Sequence, residues 1–174
     1  MVYTQGRGEQ RGGIEMQGYV LSVEHNIPSP PEPIFAVLAD AAKHTLIDGS
    51  GMLQGARDLE PERLTLGSKF GMGMKLGVRY STVNKVVEFD ENRLIAWQTG
   101  PEGLAGRLMG GRIWRYELEP GTEGTLVRES WDITPDPMRS LLKLGDIYSN
   151  KTKRDMERTL DRLAQLMAGQ GAGT

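Results

Sequence analysis

The chain contains no cysteine, which excludes disulfides, thiolate nucleophiles and cysteine-ligated zinc or iron–sulfur centres together. That composition fits a reducing compartment, and a cytoplasmic location is expected. Histidine is nearly as scarce. His25 and His44 lie far apart, with no His-x-x-x-His or Glu-x-x-His element, so a metal site lacks its usual ligands and neither a metal nor a cofactor is expected. No sign of charge dominates either: the formal net charge is −2, and Lys and Arg are interleaved with Asp and Glu, leaving no long-range field to attract nucleic acid. Long apolar runs are missing as well. Ile34 to Ala39, six residues, is the longest, against roughly 20 for a bilayer span, so neither membrane insertion nor a signal-peptide core is expected. The dipeptide Gly-Lys never occurs, which removes a phosphate-cradling P-loop, and Gly49-Ser50-Gly51 lacks the spacing of a nucleophile elbow. In Gly71-x-Gly73-x-x-x-Gly77 the third glycine falls one residue late for a dinucleotide loop and a strand follows; a sheet face with little outward bulk explains it better.

What remains is strong patterning. With 174 residues the chain is expected to form one domain, burying roughly 70 % of its unfolded surface without a staple. Residues 1–18 hold five glycines, three glutamines and two arginines and no apolar periodicity. They read as a disordered leader, with Met16 as an alternative start. A first strand is predicted from Tyr19 to Ile27. Ser29-Pro30-Pro31-Glu32 has the form of a capping box opening a short helix through Leu38, and Asp40 is placed to cap a second, Ala41 to Ile47. Strands are then predicted at Met52–Asp58, Ser68–Leu76, Val78–Phe89, Arg93–Thr99, Arg112–Glu119 and Thr125–Ile133, separated by Gly, Pro and Asp-Glu-Asn breakers. Short connections favour antiparallel pairing, and a meander is the economical topology.

After Asp136-Pro137 a helical segment carries Met138, Leu141 and Leu142 up to Gly145. Beyond Asp146, Tyr148, Thr152, Met156, Leu160, Leu163 and Met167 recur at helical spacing opposite a basic and acidic face. The expected architecture is α+β: a curved antiparallel sheet of six or seven strands wrapped around a long C-terminal helix, with two short helices after the first strand. One domain over residues 19–168 and a flexible tail at 169–174 complete the reading. Such an order tends to enclose a pocket.

Three stretches carry a family likeness: Pro30 to Asp40 (Pro-x-x-x-Ile-Phe-x-Val-Leu-Ala-Asp), Arg93-Leu-Ile-Ala-Trp97, and Arg115-Tyr-Glu-Leu-Glu-Pro running through Gly124-Thr-Leu-Val to Glu129-Ser-Trp131. In this order the chain resembles the helix-grip fold of the START-like superfamily, which includes Bet v 1-type and polyketide cyclase/dehydrase-like (SRPBCC) proteins. The resemblance implies a pocket for a hydrophobic or amphipathic small molecule, and in some members cyclisation, dehydration or hydrolysis. Where many relatives carry a tryptophan about seven residues after the Asp, this chain has Ile47, so any role of that aromatic is not carried over.

Glu129 is the most conspicuous polar residue, because it shares the inward parity of its strand with Val127, Trp131 and Ile133. Either it orients a ligand or works as an acid or base, or a register slip leaves it wet. His44 lies four residues from both Asp40 and Asp48; the alternatives are a proton-moving cluster and a solvated surface histidine. His25, on an apolar strand face, reads as a core histidine. Phe70, Met72, Met74, Tyr80, Trp97, Trp114, Tyr116, Trp131 and Met156 are the candidate ligand contacts, suited to a flat or polyketide-like molecule or else to ordinary core. If the protein is an enzyme, Glu129 and His44 are the candidate catalytic residues, with Tyr80 or Tyr116 polarising an oxygen. The glycine-rich connection from Gly100 to Gly111 suggests a flap or a plain hairpin tip. A homodimer stays open.

Overall fold

The computed structural model describes residues 18–57, 63–101, 110–144 and 146–171. The expected leader up to residue 17, the segment around Glu60-Pro61, most of the glycine-rich connection and the last three residues lie outside them. β1 (Val20–Ile27) is followed by α1 (Pro31–Leu38), a 3-10 turn at Ala41–Lys43 and α2 (His44–Ile47). β2 (Leu53–Arg57), β3 (Lys69–Leu76), β4 (Val78–Asp90), β5 (Leu94–Pro101), β6 (Arg112–Gly121) and β7 (Gly124–Asp132) come next. The helices α3 (Arg139–Leu144) and α4 (Asp146–Gly171) end the chain.

All seven strands form one antiparallel sheet in the order β1-β7-β6-β5-β4-β3-β2. Six of them follow as a meander, while β1 pairs with β7 and the chain crosses to the far edge through α1 and α2. Register shifts at Leu53/Gly55 and Val86/Glu88 bend the strands, as an extra unpaired residue does. The sheet curls around α4. Its outer face carries cross-strand ion pairs such as Arg115 with Glu88 and Arg128 with Glu24.

α4 does two different jobs along its length. Its C-terminal half buries Leu160, Leu163 and Met167 against Leu21, Val23, Ile27, Val127 and the α1 residues Ile34, Phe35 and Leu38, which make a solid core. Its N-terminal half presents Thr152, Asp155, Met156 and Thr159 to a hollow instead. Tyr148, expected on the same stripe, lies outside the residues whose side chains are described.

Three local expectations are corrected. No capping box forms at Ser29: Pro30 is the N-cap, no side chain caps α1, and the Ser29 hydroxyl donates to the Pro30 carbonyl. Proline at the first helical position has no N–H to satisfy, which lessens the need for a cap. The second helix is broken into a 3-10 turn and one α turn, although Asp40 does accept from the Ala42 amide at 3.0 Å. His25 is not a core histidine; it is half-exposed on β1 and its Nδ1 lies 3.3 Å from Asp161 of α4.

At the end of α2, Gly49 touches α4 backbone to backbone. Its amide donates to the Thr159 hydroxyl at 3.0 Å, and a Cβ there would collide with the Asp155 carbonyl and the Thr159 amide. Only glycine lets the two elements meet this closely. That contact sets where α2, and with it His44, stands relative to the sheet.

Candidate functional site

The hollow between sheet and α4 is a cavity of about 620 Å³, within the range of roughly 300–1,000 Å³ that encloses a small molecule. β3 supplies Phe70, Met72 and Met74, β4 Tyr80, Thr82 and Asn84, β5 Trp97 and Thr99, β6 Arg112, Trp114 and Tyr116, and β7 Glu129 and Trp131. On every one of these strands the residues are two apart, so a single alternation aims them inward. All nine expected ligand contacts line the cavity, as do Glu129 and His44. Trp97 and Tyr80 both face it; Trp97 is buried and Tyr80 stands at the mouth, 39 % exposed.

Four of the aromatic rings form a connected group. Tyr116 stacks on Trp97 at 5.4 Å between centroids, and His44 stacks on the same indole at 4.9 Å. Phe70 meets both His44 and Trp97 edge-on, at 5.7 and 5.9 Å. Offset stacking and edge-to-face contacts are the favoured geometries of aromatic quadrupoles.

His44 is therefore buried, not the solvated surface histidine that its short helix suggests. It forms no cluster with the two aspartates: Asp40 is spent on capping, and Asp48 accepts from the Ser50 amide and hydroxyl and the Leu53 amide. Its Nε2 lies 2.8 Å from the Leu38 carbonyl, which can only accept, so Nε2 carries the proton. Burial lowers the imidazole pKa, opposed by the Leu38 hydrogen bond and by Asp40, and the neutral ring leaves Nδ1 as a lone-pair nitrogen.

Glu129 sits at the floor, 2 % exposed. The Tyr116 hydroxyl donates to its Oε1 at 2.8 Å, while Oε2 has no partner among the described residues, and neither has the indole N–H of Trp131 two positions on. Burial pushes the Glu129 carboxyl up to about 8, against the lowering effect of the Tyr116 bond and with a further push from Asp48. At pH 7 the group is a neutral acid. Tyr116 is also raised, by burial and by Glu129, so its phenol stays protonated.

A polar wall faces these groups: Thr99 donates to Oδ1 of Asn84 at 2.6 Å, and Asn84 donates to the Phe70 carbonyl. Arg112, Lys151 and Met138 stand near the mouth. Neither Asn84, Thr99 nor Arg112 was singled out from the sequence, although each shares the inward parity of a tryptophan or tyrosine on its strand. Among the described residues no group of three or more His, Asp or Glu could hold a metal ion.

A curled antiparallel sheet gripping a C-terminal helix around an aromatic-lined cavity defines a helix-grip protein of the START-like class. The chain belongs to the family described as polyketide cyclase/dehydrase and lipid transport, whose profile matches residues 20–168. An uncharacterized protein of Mycobacterium tuberculosis, Rv0088, is 29 % identical over 147 residues, 82 % of this chain and 61 % of that protein. The chain thus spans less than two thirds of the length of this curated relative. A solved Arthrobacter aurescens structure is similar with a TM-score of 0.69 at 12 % identity, over 91 % of this chain and 92 % of the other. A Rhodobacter sphaeroides protein gives 0.67 at 15 %, over 90 % and 97 %. The Polyketide_cyc-like protein Cgl2372 of Corynebacterium glutamicum gives 0.55 at 19 %, over 91 % and 98 %. At such identities the likeness is one of fold. No helix among the described residues is long and apolar enough to cross a membrane.

Proposed function

We propose that this protein binds a hydrophobic or aromatic small molecule, lipid-like or polyketide-like, in the cavity between the sheet and α4, in the cytoplasm. The observation that carries this reading is an apolar chamber of about 620 Å³ with a neutral acid and an unpaired indole N–H at its floor. Buried polar groups without partners cost about 1–3 kcal/mol each, and a ligand oxygen that pairs with Oε2 of Glu129 or the Trp131 N–H relieves that cost. Phe70, Met72, Met74, Tyr80, Trp97, Trp114, Tyr116 and Met156 supply the apolar contact. Native mass spectrometry of protein purified from its host, combined with titration of lipids and polyketide-like compounds followed by tryptophan fluorescence, tests it. A bound mass and a shifted emission are expected; the absence of both would overturn the reading.

A second reading is favoured by the protonation of Glu129. A carboxylic acid neutral at pH 7 can donate a proton to a carbonyl oxygen, which suits a cyclase or dehydratase acting on a carbonyl-containing substrate. In that reading Glu129 is the acid, the neutral His44 accepts a proton at Nδ1, and Tyr116 or Tyr80 polarises an oxygen. A Glu129→Gln protein that still binds its ligand but loses turnover supports catalysis; unchanged turnover removes Glu129 from the mechanism.

A further inference from the structure

Arg112 opens the inward row of β6, two and four residues before Trp114 and Tyr116, and lines the same cavity as they do. It is held there. Its Nε donates to Oδ2 of Asp136 at 2.8 Å, and Asp136 is fully buried, its Oδ1 taken by the Met138 amide at 2.7 Å. A carboxylate fixed by a backbone amide and closed from solvent gives the arginine one orientation, whereas a long charged side chain at a cavity rim otherwise samples many.

The Nε contact uses one side of the guanidinium. Among the described residues neither terminal nitrogen has a hydrogen-bonding partner, so the end-on pair of N–H groups, the geometry that receives a carboxylate through two parallel bonds, is unspent. The other ions lining the cavity are committed. Asp48 accepts from Ser50 and Leu53, and Lys151 is tied to Asp155, which also receives Arg158. Glu129, neutral at the floor, sets no negative charge against an entering anion.

We propose that Arg112 is an anion subsite at the cavity mouth that grips the carboxylate of an apolar monocarboxylic acid whose body fills the aromatic chamber. This rests on the small-molecule reading above and narrows it to a ligand class. The planar fork selects a planar carboxylate, received by the two terminal N–H groups that the Asp136 pair leaves unspent.

Displacement of the neutral fluorophore N-phenylnaphthylamine at pH 7 tests the subsite, with dodecanoate and its methyl ester, naphthoate and its methyl ester, and dodecyl phosphate as competitors. The acids are expected to bind about ten- to a hundredfold more tightly than their esters, the range for hydrogen bonds to charged groups. Arg112→Gln is expected to bring the acids down to the affinity of the esters. Arg112→Lys keeps the charge without the fork and should retain only part of the preference; thermal unfolding checks that both variants fold, and the lysine variant decides if the glutamine one does not. Esters that bind as well as acids in the native protein, or a preference that survives both substitutions, would overturn the subsite while leaving the cavity a binding site. Dodecyl phosphate binding as tightly as dodecanoate overturns the carboxylate assignment. If neither the esters nor the acids displace the fluorophore, the small-molecule reading itself fails, and the subsite with it.

Discussion

Tyr116 and Glu129 stand directly opposite each other on β6 and β7, and the tyrosine hydroxyl donates to the nearer carboxylate oxygen at 2.8 Å across that pair. The bond favours the ionised form of Glu129, yet burial outweighs it and the acid is pushed up to about 8. Desolvation of a fully enclosed carboxylate is larger than one phenol can offset. The pair therefore stays protonated on both members near neutrality, with the acid proton left for the unpartnered Oε2.

Stability should follow that protonation. The folded-state pKa lies above the usual value of 4.5, so the folded protein binds the proton more tightly than the unfolded chain and loses stability as pH rises from about 4.5 through about 8. Glu129→Gln keeps an acceptor for Tyr116 and has no proton to lose. Urea unfolding between pH 5 and pH 9, roughly the window set by that shift, should show the variant gaining on the native protein by several kcal/mol as pH rises. Parallel curves would mean that the carboxyl titrates normally.

His44 should act in the opposite direction. Its folded pKa is depressed below 6.5 by burial, so its contribution is present above that value and is lost as pH falls through the folded pKa. His44→Phe retains stacking on Trp97 but removes the donor to the Leu38 carbonyl, at a cost of about 1–3 kcal/mol near pH 8. The gap between native and variant should narrow on acidification below about 6.5, measured by the same unfolding series. A gap that does not change with pH would place the ring in water.

Gly49→Ala should destabilise by about 1–3 kcal/mol, the usual cost of forcing extra bulk into a close contact. The added methyl meets the α4 backbone at Asp155 and Thr159, which cannot step aside as a flexible side chain does. Chemical denaturation measures the cost, and tryptophan emission reports whether α2 and the His44–Trp97 stack have shifted. No loss would show that α2 and α4 are not in contact.

Leu163→Ala and Met72→Ala should separate the two halves of the interior. Leu163 is fully buried in the solid core and away from the cavity, so truncation leaves a new void at about 2–5 kcal/mol. Met72 borders space that is already open; its truncation should cost less and change the affinity for N-phenylnaphthylamine more. Equal stability losses with unchanged affinity would mean that the cavity is filled.

The alternation of β3, β6 and β7, the short helices after β1 and the amphipathic stripe of α4 were legible from the residues, because strand and helix periods are local properties of the chain. They sufficed for the antiparallel sheet, the helix that grips it, and the inward placement of Glu129 and Trp131. The burial of His44 was not legible, since a four-residue helix carries no periodicity from which burial can be inferred. Its position depends on Gly49 meeting α4 more than a hundred residues away. The facing of Trp97 was not legible because it closes an unbroken apolar run, Leu94-Ile95-Ala96-Trp97, that shows no alternation, and Arg112 was passed over because an arginine in an inward row looks like an exception until Asp136 is seen to hold it. Local sequence determined which elements form and which of their faces are apolar. Only the tertiary structure decided which polar groups lose water and which find partners, since desolvation and hydrogen bonding arise between segments that the chain brings together from far apart.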